Sequence, residues 1–352
     1  MRFILFISIF SISLFAQKIT FQDEYDNNVT LNNEAKKVAL FPIPLASFSI
    51  AVDGNTNRIQ SINPIAKDII NQGILGKIFK EANNLNTTGI SADFSPNIEE
   101  LIKADLDFIV QWGSFGSELY EPLKKLGIAM ALIKFKGEEN TIKWFEMLGK
   151  AYKQEERVNN ILKHRAEIRK NIEQMKFENQ PKIAMFSSSA GKLNLAGKDT
   201  YHDWAINLIG AKNIAKHQGF KLVEPETFLA LNPDIIFISA TDKTEPKYFY
   251  NNKIFSKINA VKNKKVYKMP NGGFRWDPPS QESPLSWLWM ISMAHNIDLD
   301  IKRHMQEMYS FLYNYNLSEN DMDLILQIDE NKNSSNYLEF FGKKEDKWKN
   351  IF

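Results

Sequence analysis

A long segment without proline separates two stretches of the chain in which short strand-like runs alternate with helical ones. Between Glu139 and Lys176 there is no proline, and Gly149 is the only glycine. Apolar residues recur there mostly at helical spacing, at Ile142, Phe145, Leu148, Val158, Ile161, Leu162, Ile168, Ile172 and Met175. The pattern predicts one linking helix over 139–177, and the part after Gly149 alone would be roughly 40 Å long at the α-helical rise. A rigid helix of this length would hold the two flanking stretches apart as separate lobes.

The stretch before this segment has the pattern of an α/β lobe. Short runs that end at turn residues predict strands over Val38–Phe41, Asn57–Ile62 and Phe108–Trp112. A helix is predicted to begin near Ser95, which can cap it, with Pro96 in its first turn. Helices that alternate with strands favour a mainly parallel sheet covered by helices. We therefore predict an N-terminal lobe over 17–138.

The same pattern restarts after Pro181. The predicted strands cover Lys182–Phe186, Ile235–Ile238 and Lys265–Met269, and the predicted helices cover Asp203–Ile209 and Pro225–Leu231. We predict an α/β fold of two Rossmann-like lobes with mainly parallel sheets, joined by one long backbone helix, with a ligand cleft between the lobes. The second lobe would cover 178–330, and a C-terminal tail would follow over 331–352.

The first sixteen residues, MRFILFISIFSISLFA, indicate where the protein works. Arg2 precedes an apolar and small-residue run, and Ala16 offers a small residue before a polar chain. The run is shorter than the about 20 apolar residues of a spanning helix, so it predicts a cleaved signal peptide over 1–16. An uncleaved membrane anchor is the alternative. No cysteine follows Ala16, so we expect a protein exported to the periplasm without a lipid anchor.

Composition argues against several classes of protein. The net charge is +2, from 44 basic and 42 acidic residues, and no basic stripe stands out, so no nucleic-acid partner is expected. The chain has no cysteine, which removes disulfides, thiolate nucleophiles and cysteine-based zinc sites. It also lacks a Gly-x-Ser-x-Gly elbow, a Gly-x₄-Gly-Lys phosphate loop and a His-Glu-x-x-His motif. We therefore expect a binding protein rather than an enzyme.

Four segments follow one another in an order typical of one protein family. They are SPNIEELIKADLDFIV (95–110), WAINLIGAKNIAK (204–216), LALNPDIIFIS (229–239) and MYSFLYNYNLSENDMDLIL (308–326). Together they resemble the periplasmic metal-chelate binding proteins of ABC importers, the class with a single helical backbone between two lobes. Leu106 stands where that family usually has proline, and the proline-rich opening at 42–53 is atypical of it. Because this opening would lie near the cleft, it bears on the identity of the ligand.

The resemblance implies a function and partners. Such a protein captures a small-molecule metal chelate as cargo and delivers it to an ABC permease at the inner membrane, as a monomer and without an intrinsic cofactor. An iron–siderophore is the leading cargo, and haem, cobalamin or a nickel or cobalt chelate are the alternatives. Two other interpretations are a periplasmic α/β hydrolase that uses Ser188 or His202, and an envelope protein that binds a protein partner instead of a small molecule.

Arg275 and Trp276 are the first candidate ligand-binding residues. They lie in GGFRWDPPSQESPLSWLW (272–289), directly after a predicted strand, and so at the carboxyl end of a parallel sheet. The planar guanidinium of Arg275 suits carboxylate, hydroxamate or catecholate oxygens, and the ring of Trp276 could stack on an aromatic chelate. The alternative for Arg275 is a structural ion pair with Asp277 or Glu282.

Tyr201 and His202, which precede a predicted helix, are candidates for the metal of a bound chelate. Phenolate and imidazole are ligands that suit iron and nickel, so His202 or Tyr201 could complete the coordination. The alternative is that Asp203 caps the helix and His202 is a polar loop residue. A single histidine without a paired ligand favours the alternative.

The remaining ligand-binding candidates follow predicted strands on both sides of the expected cleft. They are Phe41, Trp112, Ser114 and Phe115 in the first lobe and Ser188 in the second, with Ser187 and Ser239 in equivalent loops. Hydroxyls and aromatic rings suit a partly aromatic, hydrated pocket. Alternatively, these side chains only satisfy the backbone of turns.

The segment Asp26-Asn27-Asn28-Val29-Thr30 carries a different signal. An acidic residue stands two positions before an Asn-x-Thr sequence, which resembles the acceptor pattern of some bacterial glycosylation systems. The alternative is a chance occurrence, although the site lies near the N-terminus, where exposure is expected.

Overall fold

The computed structural model describes residues 18–189 and 192–342. The predicted signal peptide over 1–16 and the end of the predicted tail, 343–352, lie outside the described residues. Within the described ranges, no helix is long and apolar enough to cross a membrane.

The described chain opens on an antiparallel hairpin of β1 (Ile19–Gln22) and β2 (Asn28–Leu31). Successive side chains of a strand point to opposite faces, and here Phe21, Val29 and Leu31 are buried while their neighbours are exposed. The hairpin therefore packs one face on the first lobe and presents the other to solvent.

The first lobe is built on a parallel sheet. Its strands are β3 (Val38–Leu40), β4 (Ile59–Ile62), β5 (Phe108–Trp112) and β6 (Ala129–Ile133), in the order β4-β3-β5-β6. Its helices are α1 (Leu45–Asp53), α2 (Pro64–Gln72), α3 (Leu75–Ile78), α4 (Ile98–Lys103) and α5 (Glu121–Lys124), with short 3-10 turns at Lys80–Asn84 and Ser117–Leu119. The three predicted strands are confirmed. Strand β6 was not predicted, and its first two residues are only partly buried.

Helix α4 begins later than predicted. Asn97, not Ser95, is its cap, and Oδ1 of Asn97 accepts a hydrogen bond from the backbone N–H of Glu100 at 3.4 Å. Ser95 lies in the preceding turn, where its N–H donates to Oγ of Ser91 at 3.1 Å. Asparagine and serine are both strong caps, so the sequence did not distinguish between them.

The segment between the lobes forms two helices. Helix α6 covers Glu138–Tyr152, and α7 covers Glu155–Gln174. Lys153 has a φ of 54°, and this left-handed conformation ends α6. Helix α6 packs on the first lobe, where the ring centroid of Phe145 lies 4.7 Å from that of Phe48. The single long backbone helix is therefore α7, and the start predicted at 139 is too early.

The second lobe contains a mixed sheet. Its strands are β7 (Lys182–Ser189), β8 (Lys192–Ala196), β9 (Lys212–Asn213), β10 (Phe220–Val223), β11 (Ile235–Ile238) and β12 (Val266–Lys268). They lie in the order β10-β8-β7-β11-β12, with β9 beside β7. Strands β7, β11 and β12 are parallel, whereas β8 and β10 add an antiparallel edge that the sequence analysis did not identify. The helices are α8 (Tyr201–Leu208), α9 (Pro225–Leu231), α10 (Pro246–Asn251) and α11 (Asn259–Lys262), with a 3-10 turn at Lys253–Lys257.

Five C-terminal helices complete the described chain. They are α12 (Ser283–His295), α13 (Ile301–Tyr313), α14 (Glu319–Ile325), α15 (Ile328–Asn331) and α16 (Tyr337–Phe341). Helix α12 is buried along almost its whole length, and α13 packs against both α12 and α1 of the first lobe. Tyr337 is fully buried, so the described part of the predicted tail is packed structure.

Candidate ligand-binding cleft

A cavity of about 260 Å³ lies between the lobes. Phe135, which follows β6, is the contribution of the first lobe. The second lobe contributes Met185, Phe186, Ser187, His202, Phe220, Ser239, Arg275, Asp277 and Pro278. Met185, Phe186 and Ser187 lie in the second half of β7, and Ser239, Arg275, Asp277 and Pro278 follow β11 and β12. The cavity therefore lies towards the carboxyl ends of the parallel strands, where α/β sheets usually bind ligands. Of the predicted site residues, the cavity brings together Arg275, His202, Ser187 and Ser239.

The guanidinium of Arg275 has an unsatisfied donor beside the cavity. Its Nε is buried and has no hydrogen-bond partner, and no ion pair to Arg275 occurs within residues 18–189 and 192–342. The two alternative partners are occupied by other groups. Asp277 accepts hydrogen bonds from Oγ of Ser239 at 2.8 Å and from the N–H of Ala240 at 3.1 Å. Arg275 is therefore available to an anion that enters the cavity.

Glu282, the other alternative partner, holds the loop that carries Arg275. The buried carboxylate accepts hydrogen bonds from the hydroxyls of Tyr309 at 2.9 Å and Tyr313 at 2.7 Å, and from the N–H of Gly273 at 3.0 Å. Burial raises the pKa of Glu282, while these hydrogen bonds favour its charged form. These hydrogen bonds fix the loop to α13, the helix that carries Tyr309 and Tyr313.

Trp276 does not reach the cavity. Its ring is fully buried, and its Nε1 donates to Oε2 of Glu282 at 2.9 Å. The predicted stacking on a chelate has no surface available, because the indole is part of the packing beneath the loop. Arg275 and Trp276 are neighbours in sequence, but only Arg275 lines the cavity.

His202 lies in the cavity wall with an unsatisfied ring nitrogen. Its side chain is 6% exposed, and Nδ1 has no hydrogen-bond partner. Burial lowers the pKa of His202 to about 4; the negative charge of Asp277 opposes this shift, and the positive charge of Arg275 adds to it. The imidazole is therefore neutral at pH 7 and has a lone pair for a metal or an N–H for an anion.

Thr200, not Asp203, caps α8, since its Oγ1 accepts a hydrogen bond from the N–H of Asp203 at 3.2 Å.

Tyr201 is a packing residue rather than a ligand in this structure. Its hydroxyl accepts a hydrogen bond from Nε1 of Trp287 at 2.9 Å, and its ring is buried. Burial raises the pKa of Tyr201, so the phenolate that a metal would need is disfavoured. Phe41 is also fully buried, in a hydrophobic cluster with Leu101 and Ile109. Neither Tyr201 nor Phe41 therefore reaches the cleft.

An aromatic cluster forms the wall on the first-lobe side. The ring centroid of Trp112 lies 5.7 Å from that of Phe135, and 5.6 Å from that of Phe115. Phe115 is 48% exposed, whereas Nε1 of Trp112 is buried without a hydrogen-bond partner. Ser114 is exposed beside this cluster and is not a lining residue of the cavity. Trp112 therefore packs directly behind the lining residue Phe135, and Phe115 packs on Trp112.

Ser188 is not arranged as a nucleophile. Its Oγ donates to Oδ1 of Asp242 at 3.1 Å, and its backbone N–H also binds that carboxylate. In the part of the chain that the structure describes, no hydrogen bond joins Ser188 to a histidine. The serine–histidine contact required for nucleophilic catalysis is therefore not formed.

Six lining residues were not predicted as site residues, namely Phe135, Met185, Phe186, Phe220, Asp277 and Pro278. Phe135 follows β6, and Phe220 begins β10, two strands that were not predicted. Phe220 is 51% exposed, and its ring meets the ring of His202 edge-on at 5.5 Å. Asp277 was considered only as a partner of Arg275. An aromatic residue just beyond an apolar run, as at Phe135 two positions after Ile133, is the signal that could have indicated the first-lobe wall.

The described residues of the cavity do not form a metal centre of their own. Within residues 18–189 and 192–342, no group of three or more histidine, cysteine, aspartate or glutamate side chains is placed to hold a metal ion. His202 offers one nitrogen, and Asp277 is already hydrogen-bonded. A protein-only metal centre needs more ligands than these.

Two α/β lobes, one long connecting helix and a cavity between the lobes define a solute-binding protein. The model of the periplasmic binding protein family matches residues 66–272, and the chain belongs to this family. This confirms the resemblance noted in the sequence and the fold class it implied.

Several known proteins are similar to this chain. The ABC transporter substrate-binding lipoprotein YvrC of Bacillus subtilis, itself uncharacterized, is 25% identical over 71% of this chain and 77% of its own. A periplasmic solute-binding protein of Veillonella parvula has a TM-score of 0.82 at 28% identity, covering 90% of this chain and 99% of that one. The molybdate-bound MolA of Haemophilus influenzae has a TM-score of 0.75 at 19% identity, covering 85% and 99%. The nickel–histidine complex of Helicobacter pylori CeuE has a TM-score of 0.69 at 20% identity, covering 88% and 99%.

The protein is therefore the substrate-binding component of an ABC transporter and not an enzyme. Its ligand is a small molecule carried as cargo, and its protein partner is the transporter's permease. The cargoes named for MolA and CeuE differ from each other, so family membership leaves the cargo open. YvrC is a lipoprotein, and the absence of a lipid anchor here stays a prediction.

Proposed function

We propose that this protein captures an anionic metal chelate in the periplasm, with an iron–siderophore as the leading cargo, and delivers it to the inner-membrane permease. The observation that carries this proposal is the pairing of Arg275 and His202 in one cavity, each with a buried nitrogen that has no protein partner. Buried polar groups are normally hydrogen-bonded, so unsatisfied ones in a cleft favour a ligand that completes them.

The two side chains suit different parts of a chelate. The guanidinium of Arg275 is planar and permanently charged, which favours carboxylate, catecholate or hydroxamate oxygens. The neutral imidazole of His202 can occupy an open coordination position of iron or nickel. A metal that arrives already chelated needs only one such ligand from the protein.

The apolar lining favours cargo with an organic part. Phe135 and Phe220 contribute rings from opposite lobes, and Phe186 and Pro278 add further apolar surface. A bare hydrated ion would gain little from these groups, whereas the carbon skeleton of a chelator would be desolvated by them.

The size of the cavity bears on the alternatives. At about 260 Å³ it is smaller than the roughly 300–1,000 Å³ of sites that enclose drug-sized ligands. Haem or cobalamin would leave most of its surface outside. A small chelate, or the metal-bearing end of a larger one, suits this volume better.

A bare oxyanion is the second candidate, and one observation favours it. The fold is similar to that of MolA bound to molybdate, and the unsatisfied nitrogens of Arg275 and His202 could both donate hydrogen bonds to such an anion. The aromatic walls are the feature that this candidate leaves unexplained.

A fluorescence titration of the mature protein tests both candidates. Trp112 contacts the ring of Phe135, so binding is expected to change its emission. The panel comprises ferric catecholate and hydroxamate chelates, nickel with and without histidine, haemin, cobalamin and molybdate. Inner-filter controls are required for the coloured ligands, and calorimetry confirms each hit.

Saturable sub-micromolar binding of a ferric or nickel chelate, weakened at least tenfold (about 1.4 kcal/mol) by Arg275→Ala, is the expected result. Arg275→Lys keeps the charge without the planar fork and should restore only part of the affinity. Arg303→Ala, on the exposed surface of α13, is the matched control. Binding of molybdate alone would establish the oxyanion candidate, and an unchanged affinity in folded Arg275→Ala would reject the role of Arg275.

A further inference from the structure

We propose that Asn28 is an acceptor for N-linked glycosylation by an oligosaccharyltransferase that requires an acidic residue two positions before the acceptor. Asp26, Asn28 and Thr30 supply the three residues of that pattern. The proposal depends on export to the periplasm and is independent of the identity of the cargo.

The hairpin presents the acceptor and the hydroxyl residue on one exposed face. Asn28 and Thr30 alternate in β2 with the buried Val29 and Leu31, so their side chains point to the same side. Within the described ranges, the side-chain amide of Asn28 makes no hydrogen bond to protein. An enzyme can therefore approach the amide and the hydroxyl together.

The acidic residue is equally accessible. Asp26 lies in the turn with a φ of 63°, it is exposed, and its carboxylate forms no ion pair or hydrogen bond with the described residues. The neighbouring Asp23 is the residue that fixes the turn. Its carboxylate accepts hydrogen bonds from the N–H of Tyr25 and from the N–H and side-chain amide of Asn27. Asp23 therefore makes the side-chain hydrogen bonds that hold the turn, and the side chains of Asp26 and Asn28 form none with the described residues.

Three other Asn-x-Ser/Thr sequences provide internal comparisons. They begin at Asn86, Asn316 and Asn333, and asparagine instead of an acid precedes each by two positions, at Asn84, Asn314 and Asn331. The first two acceptors are also engaged. Oδ1 of Asn86 accepts from the N–H of Thr88 at 2.8 Å, and Oδ1 of Asn316 accepts from the amide of Gln306 at 3.3 Å. Only the sequence at Asn28 combines the acid with an unengaged amide.

The chemical step is the transfer of an oligosaccharide to the exposed side-chain amide of Asn28. The hairpin that carries Asn28 is a two-stranded sheet of four-residue strands, and its inner face, with Phe21, Val29 and Leu31, is packed on the first lobe. In the transfer, Nδ2 of Asn28 bonds to C1 of the first sugar of a lipid-diphosphate-linked oligosaccharide. The C1–O bond to the diphosphate breaks, the lipid diphosphate leaves with the electron pair, and the amide loses one proton.

Mass spectrometry of the protein purified from the periplasm of its own cells tests the proposal. We expect an intact mass above that of the mature polypeptide, with the increment on the peptide that contains Asn28. Asn28→Gln, Asp26→Asn and Thr30→Val should each abolish the increment. Asn86→Gln, which alters a sequence without the acid, should keep it.

A mass equal to that of the polypeptide, or an increment that survives Asn28→Gln or Asp26→Asn, would overturn the proposal. Asn28, Asp26 and Thr30 are exposed, and their side chains form no ion pair with the described residues, so the variants should fold. Circular dichroism and an unchanged cargo titration check this point.

Discussion

Arg165 and Glu138 form a buried ion pair that joins the connecting helix to the first lobe. Nη2 of Arg165 donates to Oε2 of Glu138 at 2.7 Å, and its Nη1 donates to the backbone oxygen of Ser280 at 3.0 Å. The guanidinium also lies 4.9 Å from the ring centroid of Trp287. Because Ser280 follows the loop that carries Arg275, one side chain connects α6, α7 and the cleft loop.

Arg165→Ala should destabilise the protein strongly. The substitution leaves the carboxylate of Glu138 buried without a compensating charge, and breaking a buried pair costs about 3–5 kcal/mol of unfolding free energy. Urea denaturation measures this loss. The matched control is Arg169→Ala, whose pair with Glu173 lies on the exposed surface of the same helix and should be worth at most about 0.5 kcal/mol. Equal midpoints for the two variants would contradict the prediction.

Gly273→Ala should weaken cargo binding at a distance from the cavity. An added Cβ would lie 2.8 Å from the hydroxyl of Tyr313 and closer still to Oε1 of Glu282, so the loop must shift and move Arg275. We expect affinity to fall about tenfold or more, which is about 1.4 kcal/mol. Gly137→Ala is the control, since no atom lies within 4 Å of its added Cβ. Wild-type affinity in folded Gly273→Ala would show that the position of this loop does not affect cargo binding.

His202 should make stability depend on pH in a defined window. Burial lowers its pKa to about 4 in the folded protein, from an ordinary value near 6.5. As the pH falls, the unfolded chain therefore takes up the proton before the folded protein does. The contribution of neutral His202 to the free energy of unfolding is complete above pH 6.5 and is lost as the pH falls from 6.5 towards 4.

Between pH 7 and pH 5, wild type should lose about 2 kcal/mol more unfolding free energy than His202→Gln. Urea titrations at both pH values measure the difference. Identical pH dependence in the two proteins would mean that the imidazole is not buried as the structure places it.

Lys153→Gly should stabilise the junction of α6 and α7. Lys153 adopts a left-handed conformation, which costs a residue with a side chain about 1–2 kcal/mol. Glycine removes this strain, but its greater conformational freedom in the unfolded chain offsets part of the gain in unfolding free energy. The expected net gain is about 0.5–1 kcal/mol in thermal or urea unfolding. Lys150→Gly, in the last turn of α6, should instead lose up to about 1 kcal/mol. A loss at both positions would contradict the assignment of the junction.

Much of the fold could be predicted from local patterns. The predicted strands Phe108–Trp112 and Ile235–Ile238 and the predicted helix Pro225–Leu231 agree with the structure at both ends. Each of the strands is a short apolar run that is buried on both faces, and the helix begins with proline at its first position. Local chemistry and tertiary burial favour the same conformation in these segments.

The cleft was harder to predict than the fold. Arg275 and His202 were named from the sequence and lie in the cavity, and their roles in binding stay predictions. Trp276, Tyr201 and Phe41 were named with them and are buried in packing instead. An aromatic side chain next to a strand end can point to the core or to the cleft, and residue type does not distinguish the two directions.

The sequence by itself determined the two lobes, their α/β class and the family, because these depend on the order of apolar runs, turn residues and motifs along the chain. Only the tertiary structure decided that the linking segment breaks at Lys153, that the second sheet has an antiparallel edge and that Phe135 and Phe220 line the same cavity. These features depend on contacts between residues far apart in sequence. The direction of a side chain is set by what packs against it, and that is specified by the whole fold rather than by its neighbours in the chain.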